Sequence, residues 1–277
     1  MSEHAATRSG GRTGRNLPAA TAVGIGLIAL ITVSLYYVPL LFVAIATFAS
    51  FMAVREMSSA LKLRERWVVN EVALPAAVLL PPLAYFYGTE YSLGAVALCV
   101  IAAAWVRLRR GIVGYFNDLA STVLVIAYVP LLIGFATAMS HAELGAERVL
   151  VMILLTAGND TGGYFAGIFF GKHPMAPGIS PKKSWEGMVG SLIAQALLGA
   201  FVAPLLLPIA AWQGLLLGLV MSVTATIGDL AESAIKRDLG IKDMSQAIPG
   251  HGGFMDRLDS LLINAVVAWV AYMWIGV

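Results

Sequence analysis

The sequence predicts an all-α, polytopic integral membrane bundle of about nine transmembrane helices with its N-terminus in the cytoplasm. Three observations predict it. Mean hydropathy is +0.82 and 59% of the residues are hydrophobic, more than a water-soluble domain carries. The apolar residues come in runs near the roughly 20 that cross hydrocarbon as a helix. The basic residues fall between those runs in an alternating pattern.

Residues 1–16 carry Arg8, Arg12 and Arg15 and read as a flexible cytoplasmic tail ahead of one membrane domain over residues 17–277. No clear small-x-small site closes the first apolar run, so it reads as an uncleaved span. The segments then fall at about 17–35, 37–54, 71–88, 91–106, 117–139, 148–170, 188–209, 212–231 and 258–276. Pro75, Pro81 and Pro82 make the third tilted, kinked or partly re-entrant, and Pro204 and Pro208 disturb the end of the seventh. Asn117 and Asp118 are placed to cap the fifth. Trp67, Trp105, Trp212 and Trp274 suit interfacial positions, and 28 glycines allow helices to approach closely. Cys99, the one cysteine, fills space in an apolar run.

With the N-terminus inside, 17 of the 18 Lys and Arg fall in inner segments, and only Arg148 falls outside. A missed or invented span would break that alternation, so charge supports the count of nine and an outer C-terminus. Basic residues dispersed between spans do not form a nucleic-acid surface.

The chemistry concentrates in two polar islands on the inner side. The larger runs from Gly228 to Ser260 in a chain that is only 12% charged. Asp229, Glu232 and Lys236 recur at i, i+3 and i+7, one face of a continuous helix. A carboxylate at Asp229, where apolar sequence ends, needs a cation, a metal or a wet cleft. Gly252 and Gly253 let backbone N–H groups converge on an oxyanion, and His251 either binds phosphate or caps the turn. Asp256 and Asp259 share a face three residues apart, with Arg257 between them. Carboxylates from two helices at a cleft suit Mg²⁺, while the lack of a Cys/His cluster argues against zinc.

The second island, Asn159 to Glu186, holds Asp160 and Glu186, and Gly162, Gly163 and Gly167 for packing. Asp160 is either a structural carboxylate or part of the site. Ser180-Pro181 reads as an N-cap followed by proline at the first helical position. Lys182 and Lys183 are either a topology signal or a phosphate clamp, and Glu186 either pairs with a lysine or supports a metal. Carboxylates, lysines and glycine turns together point to phosphoryl or nucleotidyl transfer between a water-soluble and a lipid substrate. A transporter using Asp160 and Asp229 as an ion path is the rival, and no internal repeat supports it.

Two stretches carry a resemblance. Ser233-Ala-Ile-Lys-Arg-Asp-Leu-Gly-Ile-Lys-Asp243 followed by Pro249-Gly-His-Gly-Gly-Phe-Met-Asp-Arg-Leu-Asp259 resembles the phosphatidate cytidylyltransferase (CDP-diacylglycerol synthase) signature, as does Ser180-Pro-Lys-Lys-Ser-Trp-Glu-Gly187 its second conserved stretch. Gly163 and Ser184 stand where alanine and threonine are common. The resemblance implies that CTP and phosphatidate give CDP-diacylglycerol and pyrophosphate at the cytoplasmic face of the cell membrane. It also implies Mg²⁺, as two divalent ions or with K⁺, and a homodimer. By the same carry-over Asp229 and Asp256 are metal ligands and Lys236 compensates charge beside them. Lys182, Lys183, Arg237, Arg257 and the His251-Gly252-Gly253 turn bind substrate, with Asp160, Glu186, Glu232, Asp243 and Asp259 as supporting carboxylates. Transfer to another lipid phosphate is the alternative within the same chemistry.

Overall fold

The computed structural model describes residues 17–248 and 252–277. The expected tail at 1–16 and the Pro249–His251 stretch lie outside the described residues. The chain forms α1 (Leu17–Tyr37), α2 (Pro39–Lys62), α3 (Asn70–Tyr87), α4 (Thr89–Leu108), α5 (Tyr115–Tyr128), α6 (Pro130–His141) and α7 (Gly145–Phe170). A hairpin of β1 (Pro174–Ala176) and β2 (Ser180–Ser184) follows, then α8 (Trp185–Phe201), α9 (Ala203–Leu206), α10 (Ala211–Leu239) and α11 (Met255–Ile275).

Each apolar segment expected from the sequence falls mainly on helix, with residues 207–209 at the end of the seventh outside it. Among the described residues, seven helical stretches are long and apolar enough to cross a membrane. They are Pro39–Lys62, Thr89–Leu108, Tyr115–His141, Gly145–Phe170, Trp185–Leu206, Ala211–Leu239 and Met255–Ile275. Two of these contain breaks, at Val129 before Pro130 and at Val202 two residues before Pro204, where a ring nitrogen has no proton to donate. The helix of α3 continues through Pro75, Pro81 and Pro82 and is buried deeply against its neighbours. Large apolar side chains face outward on many helices, Trp105, Trp212 and Trp274 among them, as a lipid-facing surface requires.

Two apolar cores hold the bundle. One joins α2, α3 and α5 through Ala53, Val54, Met57, Ala73, Ala77 and Ile126, all with no exposure. The other joins α6, α7, α10 and α11 through Met139, Val149, Leu155, Met221 and Ala268. Glycine sets the closest crossings. A Cβ on Gly199 of α8 would run into the Gly214 carbonyl of α10, and one on Gly218 into that of Gln195. Gly162 and Gly190 do the same between α7 and α8, where added Cβ atoms would lie 2.8 Å from the opposing carbonyl oxygens. Lipid tails are as apolar as leucine, so close packing and interhelical hydrogen bonds drive this association. The hydrogen bonds form a ladder: Ser222 donates to Asn159 at 2.8 Å, Thr224 to Asn264 at 2.7 Å, and Asn264 to Thr156 at 2.9 Å.

At the other flank, Arg107 and Asp118 form a buried pair at 2.7 Å. Arg107 also donates to the carbonyls of Gly111 at 2.7 Å and Val113 at 2.6 Å, and Asp118 accepts the Trp67 N–H at 2.8 Å. The sequence expectation for these residues is corrected. Asp118 does not cap α5, whose N-cap is Gly114 with no side-chain capping bond; its carboxylate is already taken by Arg107 and the α2–α3 loop. Arg107→Ala leaves a buried carboxylate without its cation, so unfolding in detergent is expected to become easier by about 3–5 kcal/mol. Chemical denaturation followed by tryptophan fluorescence measures this, and a change under 1 kcal/mol would mean the pair is effectively solvated.

The 29 residues of α10 span about 43 Å against roughly 30 Å of hydrocarbon. The excess length carries the charged face beyond the apolar layer without breaking the helix.

Candidate active site

The site is built where α7, α8, α10 and α11 meet the hairpin. The hairpin forms because Pro174 pairs with Ser184 and Ala176 with Ser180 across a tight turn. Ser180 therefore lies in a strand and does not cap a helix. The cap of α8 is Ser184, whose Oγ accepts the Gly187 N–H at 3.1 Å. A proline-lysine-lysine run has no outward mark that separates a strand from a first helical turn, and pairing with β1 decides it.

The hairpin roofs a cavity of about 290 Å³ lined by Asp160 and Tyr164 of α7, Lys182 and Lys183 of β2, Ser184, and Asp229 of α10. Lys183 Nζ stands 2.5 Å from Asp229 Oδ2, and Ser233 donates to Asp229 Oδ1 at 3.2 Å. Asp160, Asp229 and Asp259 lie within one another's electrostatic reach, on α7, α10 and α11. Lys183 and Arg257 act on Asp160, and Lys236 acts on Asp259. Gly228 makes this gathering possible, since a Cβ there would sit 2.7 Å from the Asp259 carbonyl oxygen and push α11 away.

A second cluster lies beside the first. Lys236 Nζ bridges Glu232 Oε2 at 2.6 Å and Asp256 Oδ1 at 2.7 Å. Glu232 has no exposure at all, and Lys236 is buried with it. Asp256 Oδ2 accepts the N–H groups of Gly253 at 2.8 Å and Met244 at 2.9 Å. Glycine is needed at 252, where φ is +79° and a Cβ would stand 3.0 Å from that same carboxylate oxygen.

The whole chain has counterparts. A model of the cytidylyltransferase family matches residues 18–275. A phosphatidate cytidylyltransferase of Mycobacterium leprae is 39% identical over 95% of this chain and 89% of its own. One from Mycobacterium tuberculosis is 38% identical over 94% of this chain and 83% of its own. A phosphatidate cytidylyltransferase of Haemophilus influenzae is 40% identical over 47% of this chain and 46% of its own. The chain belongs to the phosphatidate cytidylyltransferase family. It is a multi-pass membrane enzyme of the nucleotidyltransferase class.

In this cytidylyltransferase the residues singled out from the sequence are distributed unevenly. Asp160, Lys182, Lys183 and Asp229 share the cavity, and Glu232, Lys236, Asp256 and Asp259 lie behind it. Arg237 points elsewhere: Nε donates to the Ile179 carbonyl at 3.1 Å and a terminal nitrogen to that of Ile241 at 3.3 Å, which ties the hairpin to α10. Glu186 pairs with no lysine. One oxygen meets His173 Nδ1 at 2.5 Å, and the other accepts the N–H groups of Lys172 at 3.1 Å and His173 at 3.2 Å. It thereby fixes the turn from α7 into the hairpin. Asp243 is exposed in the loop after α10, and His251 lies outside the described residues.

The glycine turn does gather backbone N–H groups on oxyanions, but on the protein's own. Asp256 takes that of Gly253, and Glu56 of α2 takes those of Phe254 and Met255. Glu56 is not among the residues singled out from the sequence. Its one local signal is an acid buried among apolar neighbours.

Among the described residues no group of three or more His, Cys, Asp or Glu is gathered closely enough to hold a metal ion. The donor chemistry nevertheless fits a hard cation. Asp160, Asp229 and Asp259 offer only oxygen, and the Lys183 ammonium marks a cation position on Asp229.

Proposed function

We propose that this enzyme transfers the cytidylyl group of CTP to phosphatidate, forming CDP-diacylglycerol and releasing pyrophosphate. The observation that carries the reading is the Lys183–Asp229 contact at 2.5 Å over the cavity, where a lysine-bearing hairpin meets the acidic faces of the membrane helices. A phosphatidate phosphate oxygen attacks the α-phosphorus of CTP. The bond from that phosphorus to the β-phosphate oxygen breaks, and its electron pair leaves with pyrophosphate. A phosphate monoester has its second pKa near about 6, so the nucleophile is already largely dianionic at neutral pH and no dedicated base is needed.

Lys182 and Lys183 hold phosphate oxygens, and Arg257 completes the substrate side. Asp229 would be the first residue to hold Mg²⁺, and Asp256 would be the second through Oδ1, which Lys236 now occupies, because its other oxygen is held by two backbone N–H groups. A second divalent ion or K⁺ beside it would draw on Asp160 and Asp259. Bound Mg²⁺ would neutralise phosphate oxygens as charge builds on the leaving group. Lys236 balances the charge of Glu232 and Asp256 in the meantime.

The topology that fits is nine crossings. The N-terminal tail and the site lie in the cytoplasm and the C-terminus outside, within one domain over residues 17–277 that pairs as a homodimer in the cell membrane. The positive-inside pattern supports it.

The test is purified protein in detergent with Mg²⁺, labelled CTP and short-chain phosphatidate, in competition with other lipid phosphates. The expected product is labelled CDP-diacylglycerol with stoichiometric pyrophosphate. No product would overturn the reaction, and preference for another lipid phosphate would change the acceptor.

A further inference from the structure

Glu56 sits near the inner end of α2, and 198 residues separate it from Phe254. It is 6% exposed in an apolar setting, where a carboxylate is costly unless fully bonded. It is fully bonded. Oε1 accepts from Ser245 Oγ at 2.6 Å and the Phe254 N–H at 3.0 Å, and Oε2 accepts the Met255 N–H at 2.9 Å. Phe254 has no side-chain capping bond to offer α11. The missing cap is thus supplied by a different helix, with a negative charge placed at the positive end of the α11 dipole. The Phe254 ring also stands edge-on to Phe48 of α2, centroids 5.6 Å apart.

This arrangement explains why residue 253 is glycine. Its backbone is not left-handed, so conformation does not demand it. Space does. A Cβ at 253 would stand 2.5 Å from Glu56 Oε2, 2.8 Å from its Cδ and 2.8 Å from Ser245 Oγ. The Gly253 N–H is the one that holds Asp256 Oδ2, and Asp256 Oδ1 holds Lys236. A chain of contacts therefore runs from α2 through the turn to the charged centre.

We propose that Glu56 is a positioning residue of the reaction: from α2 it holds the Gly252–Met255 turn, and through that turn it sets Asp256 against Lys236. The role rests on the cytidylyl-transfer reading above. Glu56 touches no substrate, so its loss appears in turnover and not in nucleotide affinity.

The experiment compares wild type, Glu56→Ala, Gly253→Ala and the double variant, each checked for a monodisperse folded peak in detergent. Both single variants are expected to lose kcat at least about thirtyfold with KM for CTP within about threefold. The double variant is expected to be no worse than Glu56→Ala, because the atoms that a Cβ at 253 would strike are gone and Ser245 is free to turn. Where Glu56→Ala does not fold, Glu56→Gln takes its place. It keeps the shape but sets an NH₂ against a backbone N–H, and Gly253→Ala on that background is then expected to keep its full effect because the clash persists. Wild type without CDP-lipid product would defeat the reaction itself. Active wild type with the Glu56 variant within about threefold of it would defeat the positioning role alone. So would a Gly253→Ala loss that persists undiminished beside Glu56→Ala, or one that vanishes beside Glu56→Gln.

Discussion

Asp229→Asn is expected to lower turnover about a thousandfold while the protein still inserts and purifies as a folded species. Asparagine keeps the size of the side chain and an oxygen for the Ser233 hydroxyl, which donates to Asp229 at 3.2 Å. It discards the charge that holds Lys183 at 2.5 Å and that would hold a cation. The substitution therefore separates charge from shape. The measurement is kcat for CDP-diacylglycerol formation at saturating CTP, with Mg²⁺ varied. Asn at 229 with turnover within about tenfold of wild type would remove this carboxylate from the reaction.

Lys236→Met is expected to fail in both stability and chemistry. Methionine follows much of the lysine stem but carries no ammonium. Glu232, which has no exposure, and Asp256 then face each other across α10 and α11 without their shared counter-ion. Removing one partner from a buried ionic cluster costs about 3–5 kcal/mol, which corresponds to a thermal midpoint lowered by about 10 °C for a chain of this size. Combining it with Glu232→Gln removes one of the two stranded charges and is expected to restore much of the midpoint. Turnover is not expected to return. An unaltered midpoint in Lys236→Met would show that the cluster does not hold the two helices together. Recovery of turnover in the double variant would show that Lys236 serves stability only.

What the sequence disclosed was local. Apolar runs translate largely into helices, and seven helical stretches among the described residues, against the nine expected, are long and apolar enough to cross a membrane. The i, i+3, i+7 spacing of Asp229, Glu232 and Lys236 is meaningful because α10 is continuous through them. Partnerships between distant segments left no periodic trace. Nothing near Lys183 indicates that it pairs with Asp229 rather than with a lipid phosphate. Nothing near Asp256 indicates that two backbone N–H groups and Lys236 would occupy it. Asp118 reads as a helix cap, yet it forms a buried clasp with Arg107. Ser180-Pro181 misled for a different reason: serine followed by proline suits a helix start and a strand edge alike, and pairing with Pro174–Ala176 selects the strand. Glu56 was hidden by distance, since its three partners lie 189 to 199 residues further along the chain.

The glycine crossings have a mechanical consequence. Where Gly199 meets Gly214, and Gly162 meets Gly190, backbone rests on backbone with no side chain between that could flex. Helices α7, α8 and α10 thus behave as a single stiff block, and prising them apart would forfeit contact along their whole length. A nucleotide entering the cavity and a lipid product leaving it need some wall to yield. The wall without such contacts is the short hairpin, held by side chains at its root by Glu186, at its tip by Arg237 and along β2 by Lys183 on Asp229. Any opening of the cavity is therefore expected at the hairpin, and it would have to part Lys183 from Asp229.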